Sequence, residues 1–328
     1  MIAYSFWMTI LIVIYHLAPH LIDLEKYKGD IYCRHFFETF GSIALNYFFA
    51  ASAYKFFVSK KSYKIKLKKR IKTLIIPFVV WNTIYIILYI LQKGIPGSKT
   101  LILGYTLAPF DGPLWYIFVI YIFFVIYSVI IKHKNISYLR FFIILLSFSA
   151  AMFHALAIKK IIYFPYIFWV ERTCRMLPAF LAGMYFARKH NAVHKKNSNV
   201  VAALGAATCI LMATYLGDGF VTIILMYLCT FLLWLIFPNI ILKSNSIMRN
   251  EMFSVYALHE GVIVIVLALI NNLKIVVITG TKSVIAGIMI VTSMILIIGI
   301  IFNFCLKKLP AIFDILFTGG RNRIGERG

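Results

Sequence analysis

Acidic residues are scarce: the 328-residue chain has 11 Asp and Glu, and only 14% of it is charged at all. A water-soluble domain is usually about 25% charged and about 45–50% apolar, whereas this chain is 62% hydrophobic. That leaves too little polar surface to cover one large domain or two ordinary ones, so a soluble fold is excluded and lipid is the solvent. Cysteine is sparse too. Cys33, Cys174, Cys209, Cys229 and Cys305 are odd in number and share no C-x-x-C or His/Cys ligand spacing. Three sit in apolar runs, where Cys packs as a small hydrophobe, so neither a disulfide framework nor a metal site is expected. There is no Gly-rich phosphate loop, no G-x-S-x-G elbow and no metal-ligand pair, which removes serine- and zinc-hydrolase chemistry. No apolar alternation of period two is sustained, and continuous apolar runs in lipid are helical because every backbone group must be paired internally.

What the chain does have is apolar runs and cations. A helix crossing the hydrocarbon needs about 20 mainly apolar residues, and such runs fall at 2–18, 36–58, 73–92, 113–131, 140–157, 176–188, 198–216, 220–237, 252–271 and 283–306. The first has no Lys or Arg before it, and Ala18-Pro19-His20 is a poor cleavage site, so it reads as a retained helix and not a signal peptide. The expected fold is all-α: a polytopic integral membrane helical bundle of about ten transmembrane helices, a single domain over 1–328.

The 34 Lys and Arg give a formal net charge of +23. With the N-terminus inside, the segments 59–72, 132–140, 188–197, 238–251 and 307–328 hold twenty-two of these cations and the outside loops hold eleven. The Lys/Arg bias of short loops therefore places both termini in the cytoplasm, which accounts for most of the charge without nucleic acid. One segment exceeds what orientation requires. Lys60, Lys61, Lys64, Lys66, Lys68, Lys69, Arg70 and Lys72 stand together with no acid among them. Such a stretch can lie along anionic headgroups, or present phosphate-binding cations at a cytoplasmic entrance; Lys69 and Arg70, closest to the membrane, favour the second role.

Polar groups inside the apolar runs are expensive in lipid and so are functional candidates. His16 stands about 21 Å into the first run at 1.5 Å per residue, and imidazole can take and return a proton at neutral pH. Asn46 and Ser52 lie in the second run, Trp115 and Tyr116 open the fourth, Arg172 and Arg175 precede the sixth, and His259 and Glu260 occupy the ninth. His259 and Glu260 are adjacent, hence about 100° apart on a helix, which argues against a dyad; His259 is expected to face the interior.

At these residues the chain resembles the membrane-bound acyltransferase 3 family, bacterial enzymes that O-acetylate or O-acylate cell-envelope sugars from acyl-CoA. Ile12-Val13-Ile14-Tyr15-His16 resembles the family's first-helix histidine. Tyr47-Phe48-Phe49-Ala50-Ala51-Ser52-Ala53 is similar to the second helix, Lys69-Arg70-Ile71-Lys72 through Pro77 to the entry of the third, and Leu114-Trp115-Tyr116 to the fourth. Arg175 through Met184, the Tyr256-Ala257-Leu258-His259 segment, and Leu309-Pro310 with Gly319-Gly320-Arg321 complete the order. Two positions depart from the pattern. Ser5 stands where the family usually has an Arg eleven residues before the histidine, and Ala53 replaces a Gly.

The resemblance implies an acyl-CoA-dependent O-acyltransferase of the bacterial cytoplasmic membrane, acting on a polysaccharide or lipid-linked sugar. Acetyl-CoA would be a co-substrate with no permanently bound cofactor, the bilayer a partner, and a homo-oligomer compatible with the pattern. His16 would be catalytic; Lys69, Arg70 and Arg175 would bind the donor; Asn46, Ser52, Trp115, Tyr116 and His259 would contact substrate or its oxyanion. With Ser5 uncharged, either Lys69, Arg70 or Arg175 supplies the donor's counter-charge, or the donor differs, or the chain is a weakened relative; the sequence does not choose among these. A glycan transporter or flippase, or a non-catalytic relative, is the alternative, although no internal repeat with broken helices in matching halves is visible.

Overall fold

A computed structural model of the chain describes residues 2–21, 30–106, 108–110, 112–130, 136–162, 167–188, 199–236, 252–273 and 281–321. Among these there are helices and no strand. In chain order they are α1 (Ile2–Leu21), α2 (Asp30–Val58), α3 (Tyr63–Arg70), a π turn (Ile71–Ile75), α4 (Ile76–Lys93) and α5 (Ser98–Gly104). After a 3-10 turn (Gly112–Leu114) come α6 (Trp115–Ile130), α7 (Ile136–Ile158), α8 (Ile167–Arg188), α9 (Asn199–Leu216) and α10 (Phe220–Ile236). The last three are α11 (Met252–Leu273), α12 (Thr281–Lys308) and α13 (Ala311–Thr318).

Every expected apolar run coincides with a helix. Among the described residues, five segments are long and apolar enough to cross a membrane: Tyr4–Leu21, Tyr63–Lys93, Tyr138–Ile158, Met252–Leu269 and Ile285–Lys308. Gly112–Ser128, Val200–Leu216 and Phe220–Ile236 are apolar but shorter. The sixth helix differs from its expected start. α8 begins at Ile167 and not near 176, because the charges that interrupt the apolar run are paired within the protein: Glu171 accepts from His154 of α7 and faces Arg175 one turn on. The stretches 131–135, 189–198, 237–251 and 322–328, where the orientation reading counts part of the cytoplasmic charge, lie outside the described residues.

The chain forms two compact units, each discontinuous in sequence. The first comprises Met1–Lys60, Ile131–Lys243 and Thr279–Ile288. Its centre is α2, packed against α1, α8, α9 and α10, while α7 packs on α8 and α10. Without a hydrophobic force between helices in lipid, close packing rests on small residues. Gly183 of α8 meets Ala50 of α2 so closely that a Cβ there would lie 2.0 Å from the Ala50 carbonyl oxygen. Beside this contact the Trp234 ring of α10 stacks with Phe186 at 5.5 Å and with Tyr47 at 6.0 Å.

The second unit comprises Lys61–Ile130, Ser244–Ile278 and Met289–Gly328. Its described part contains α3 to α6, α11, most of α12, and α13. Polar groups tie it together. Asn82, fully buried, donates to the Gly104 carbonyl at 2.7 Å and accepts from the Phe110 amide at 3.0 Å, holding the loop after α5 onto α4. The Trp81 indole donates to the Phe317 carbonyl at 3.0 Å, docking α13 on α4. Ser254 of α11 donates to Asn303 of α12 at 2.7 Å.

Candidate active site

In the first unit His16 lies three-quarters of the way along α1, partly buried, with the Tyr15 ring edge-on at 4.9 Å. Tyr15 rests on Gly41 of α2, close enough that a Cβ at Gly41 would lie 2.4 Å from the Tyr15 Cβ. Toward the other end of α1, Ser5 shares a side-chain hydrogen bond with Tyr47 of α2. These two contacts make α1 and α2 antiparallel neighbours and fix their register. Ser5 is eleven residues, hence about 16 Å along the helix, from His16. The hydroxyl at the position where the family has a cation is thus occupied in joining α1 to α2.

The register also locates Asn46 and Ser52. Asn46 is buried beside Tyr47, and its Oδ1 has no hydrogen-bond partner among the described residues. It stands at the level of Ser5, and Ser52, partly buried, lies beyond it. The two hydroxyl and amide candidates of α2 therefore sit well over one helical turn away from His16, toward the opposite end of the α1–α2 pair.

What the fold places nearer the His16 end is the charged stretch of α8. Arg172 lies within electrostatic reach of Tyr15, and its guanidinium stacks on Phe168 at 3.9 Å. One residue earlier, Glu171 accepts from the His154 Nδ1–H at 2.8 Å, with the Arg175 Nε at 3.5 Å. His154 and Glu171 are each 6% exposed. Tyr227 of α10 donates to the Arg175 carbonyl at 2.7 Å. Arg175 is therefore part of an internal ionic set of α7 and α8. His154 and Glu171 escaped the sequence reading as site residues, although the i,i+4 spacing of Glu171 and Arg175 inside a helix was the available signal.

In the second unit His259 is fully buried on α11, and its Nδ1–H donates to the Tyr256 carbonyl at 2.6 Å. That bond places a proton on Nδ1 and fixes the orientation of the ring. The start of α11 is held firmly. Tyr256 donates to the Pro113 carbonyl and packs edge-on against Tyr116 at 5.4 Å. The Tyr85 hydroxyl donates to the Ala257 carbonyl at 3.2 Å and accepts from the Gly261 amide at 3.1 Å. Trp115 is 5% exposed and belongs to the core of this unit. Lys69 is exposed, whereas Arg70 turns inward over Phe124 at 5.1 Å. The structure brings together Arg70, Tyr116 and a cation to which the sequence reading gave no site role, Arg321: Tyr116 lies within electrostatic reach of both guanidiniums.

Helices of this length and apolarity, carrying the buried His154, His259 and Glu171 and partly buried arginines, define a multi-pass membrane protein with polar chemistry inside its helices. The chain belongs to the acyltransferase 3 family, whose acyltransferase domain matches residues 6–304. It is a membrane acyltransferase by that membership. The match starts one residue after Ser5, takes in both units and ends before α13 and Arg321. No curated protein and no solved structure matches the chain.

Proposed function

We propose that the protein transfers an acyl group, acetyl in the first instance, from cytoplasmic acyl-CoA to a hydroxyl of a cell-envelope or surface polysaccharide sugar, with His16 as general base. The observation that carries this reading is the family match over residues 6–304, which contains a histidine inside a span on a helix whose register is fixed against its neighbour. His16 takes the acceptor hydroxyl proton as that oxygen attacks the thioester carbonyl. The C–O bond forms, the C–S bond breaks, and the departing thiolate of CoA recovers the proton from the imidazolium. A cation near the reacting carbonyl stabilises the oxyanion, and Arg172, within reach of the residue next to His16, fits that task better than Asn46 or Ser52. Two termini in the cytoplasm and about ten crossings of a bacterial inner membrane complete the reading, with the bilayer, the donor and a glycan or lipid-linked sugar as partners.

The test is acyl transfer by the purified full-length protein in nanodiscs, supplied with labelled acetyl-CoA and an envelope glycan fraction. The expected result is base-labile label in the glycan with release of the CoA thiol. Release of label to water alone, or none at all with any acyl-CoA, overturns the proposal.

A further inference from the structure

The basic stretch before α4 does not present its cations alike. Lys61, Lys64, Lys68, Lys69 and Lys72 are exposed, whereas Arg70, the last residue of α3, turns inward onto the Phe124 ring. The next five residues form the π turn, a local widening often found where a helix serves a site. The C-terminal segment docks on this turn. After α13 the chain reverses through Gly319 and Gly320, both at positive φ of 70° and 76°, with their amides donating to the Ile315 and Asp314 carbonyls at 3.0 Å. A Cβ at Gly319 would lie 2.6 Å from the Thr73 Cα, so only glycine allows the approach.

This reversal delivers Arg321. Its Nη2 donates to the Thr73 carbonyl at 2.6 Å, its Nη1 donates to the Thr318 carbonyl, and its guanidinium covers the Phe253 ring at 4.1 Å. Thr73 is three residues past Arg70, so two guanidiniums converge on adjacent turns of one helix. Their partners among the described residues are neutral carbonyls and rings. Asp314, an acid within electrostatic reach of Arg321, accepts from Thr318, and among the described residues no carboxylate hydrogen-bonds to either arginine. Burial pushes Arg321 down to about 10, with Arg70 lowering it further and Tyr116 and Asp314 raising it. Two like charges sharing a partly buried position repel, and an anion between them reverses the sign of that interaction.

We infer that Arg70 and Arg321 form a phosphate-ester site at the α3–α4 junction, with the Gly319–Gly320 turn holding Arg321 in place. Guanidinium forks bind phosphate oxygens bidentately, and the exposed Lys68, Lys69 and Lys72 add point charges around them. Arg321 lies outside the matched family domain, and its role is read from the contacts it makes in this structure. The phosphate comes either from the acyl-CoA donor, which rests on the proposed function above, or from an anionic lipid headgroup.

The full-length protein in phosphatidylcholine nanodiscs distinguishes these, using labelled CoA, 3′-dephospho-CoA and inorganic pyrophosphate as soluble probes and phosphatidylglycerol nanodiscs as the lipid arm. CoA affinity is expected to fall about tenfold or more in both Arg321→Gln and Arg70→Gln, the loss of a charge-assisted contact, with Lys64→Gln close to wild type. Arg70 makes no bond to the turn, so its variant separates anion binding from disruption of the C-terminal segment. If only phosphatidylglycerol protects the protein against heat, and does so only when both arginines are present, the site stands with a headgroup as occupant. Loss of binding in Arg321→Gln but not in Arg70→Gln, or no probe that separates wild type from either variant, overturns the inference. Intact binding together with absent transfer refutes the function proposed above and leaves the site standing.

Discussion

Replacing Gly183 by Ala tests the packing of the first unit at its tightest point. The new Cβ would lie 2.0 Å from the Ala50 carbonyl oxygen, 2.7 Å from its carbon and 2.8 Å from its Cα, where ordinary contact begins at 3.4 Å. α8 and α2 must therefore separate by about 1.4 Å, and because all three atoms are backbone no rotamer change relieves the clash. Overpacking of this kind costs about 1–3 kcal/mol, and a clash with backbone belongs at the upper end. Replacing a mid-helix Gly by Ala returns about 1 kcal/mol of helix propensity. The clash wins, with a net loss of about 1–2 kcal/mol, or several degrees in Tm. Gly205→Ala on α9 is the control, since its Cβ would meet only the flexible end of Leu232 at 3.1 Å. Cys209 and Cys229 are buried in this unit at 5% and 1% exposure, so a thiol-reactive fluorophore reports its unfolding above a baseline from the exposed Cys174 and Cys305. A Gly183→Ala protein that melts with wild type and with Gly205→Ala refutes the close approach of α2 and α8.

Three further outcomes follow from other contacts. Asn82→Ala orphans the Phe110 amide and the Gly104 carbonyl and should cost about 2–3 kcal/mol, read as a lower Tm in detergent; an unchanged Tm contradicts the assigned bonds. Glu171→Ala leaves Arg175 and His154 without their shared carboxylate and should cost about 3–5 kcal/mol, while Glu171→Gln, which keeps an acceptor, should cost clearly less; equal losses would show that the ionic set contributes nothing. Lys64→Cys should react with an impermeant maleimide in inside-out vesicles and not in right-side-out ones, and the reverse pattern overturns the orientation.

The helices were legible in the sequence because apolar runs in lipid have one structural solution, and α1, α2, α9 and α10 begin and end within a few residues of the expected bounds, apart from the charged first turns of α2. α8 was misplaced at its start for the opposite reason. Glu171, Arg172 and Arg175 look like a loop when counted one by one, and become tolerable in a helix only through His154, which α7 supplies from another part of the chain. The site was partly legible in the same way. His16 and His259 stand out as rare imidazoles in apolar surroundings, but the pairing of Ser5 with Tyr47 and the distance of Asn46 and Ser52 from His16 depend on the register of two helices. The eight cations of 60–72 are alike on paper, and only the inward turn of Arg70 separates it from Lys69. Arg321 stands in a recognisable Gly-Gly-Arg ending, but its place beside Arg70 could not be read there, since it is set by a π turn nearly 250 residues away.

The central claim is tested most directly by single-turnover acyl transfer from acetyl-CoA with wild type and His16→Ala, both folded by the thiol-protection melt. A positioned general base contributes about a hundredfold to ten-thousandfold. A loss in that range is expected, with CoA binding retained. Transfer by His16→Ala at the wild-type rate would contradict it.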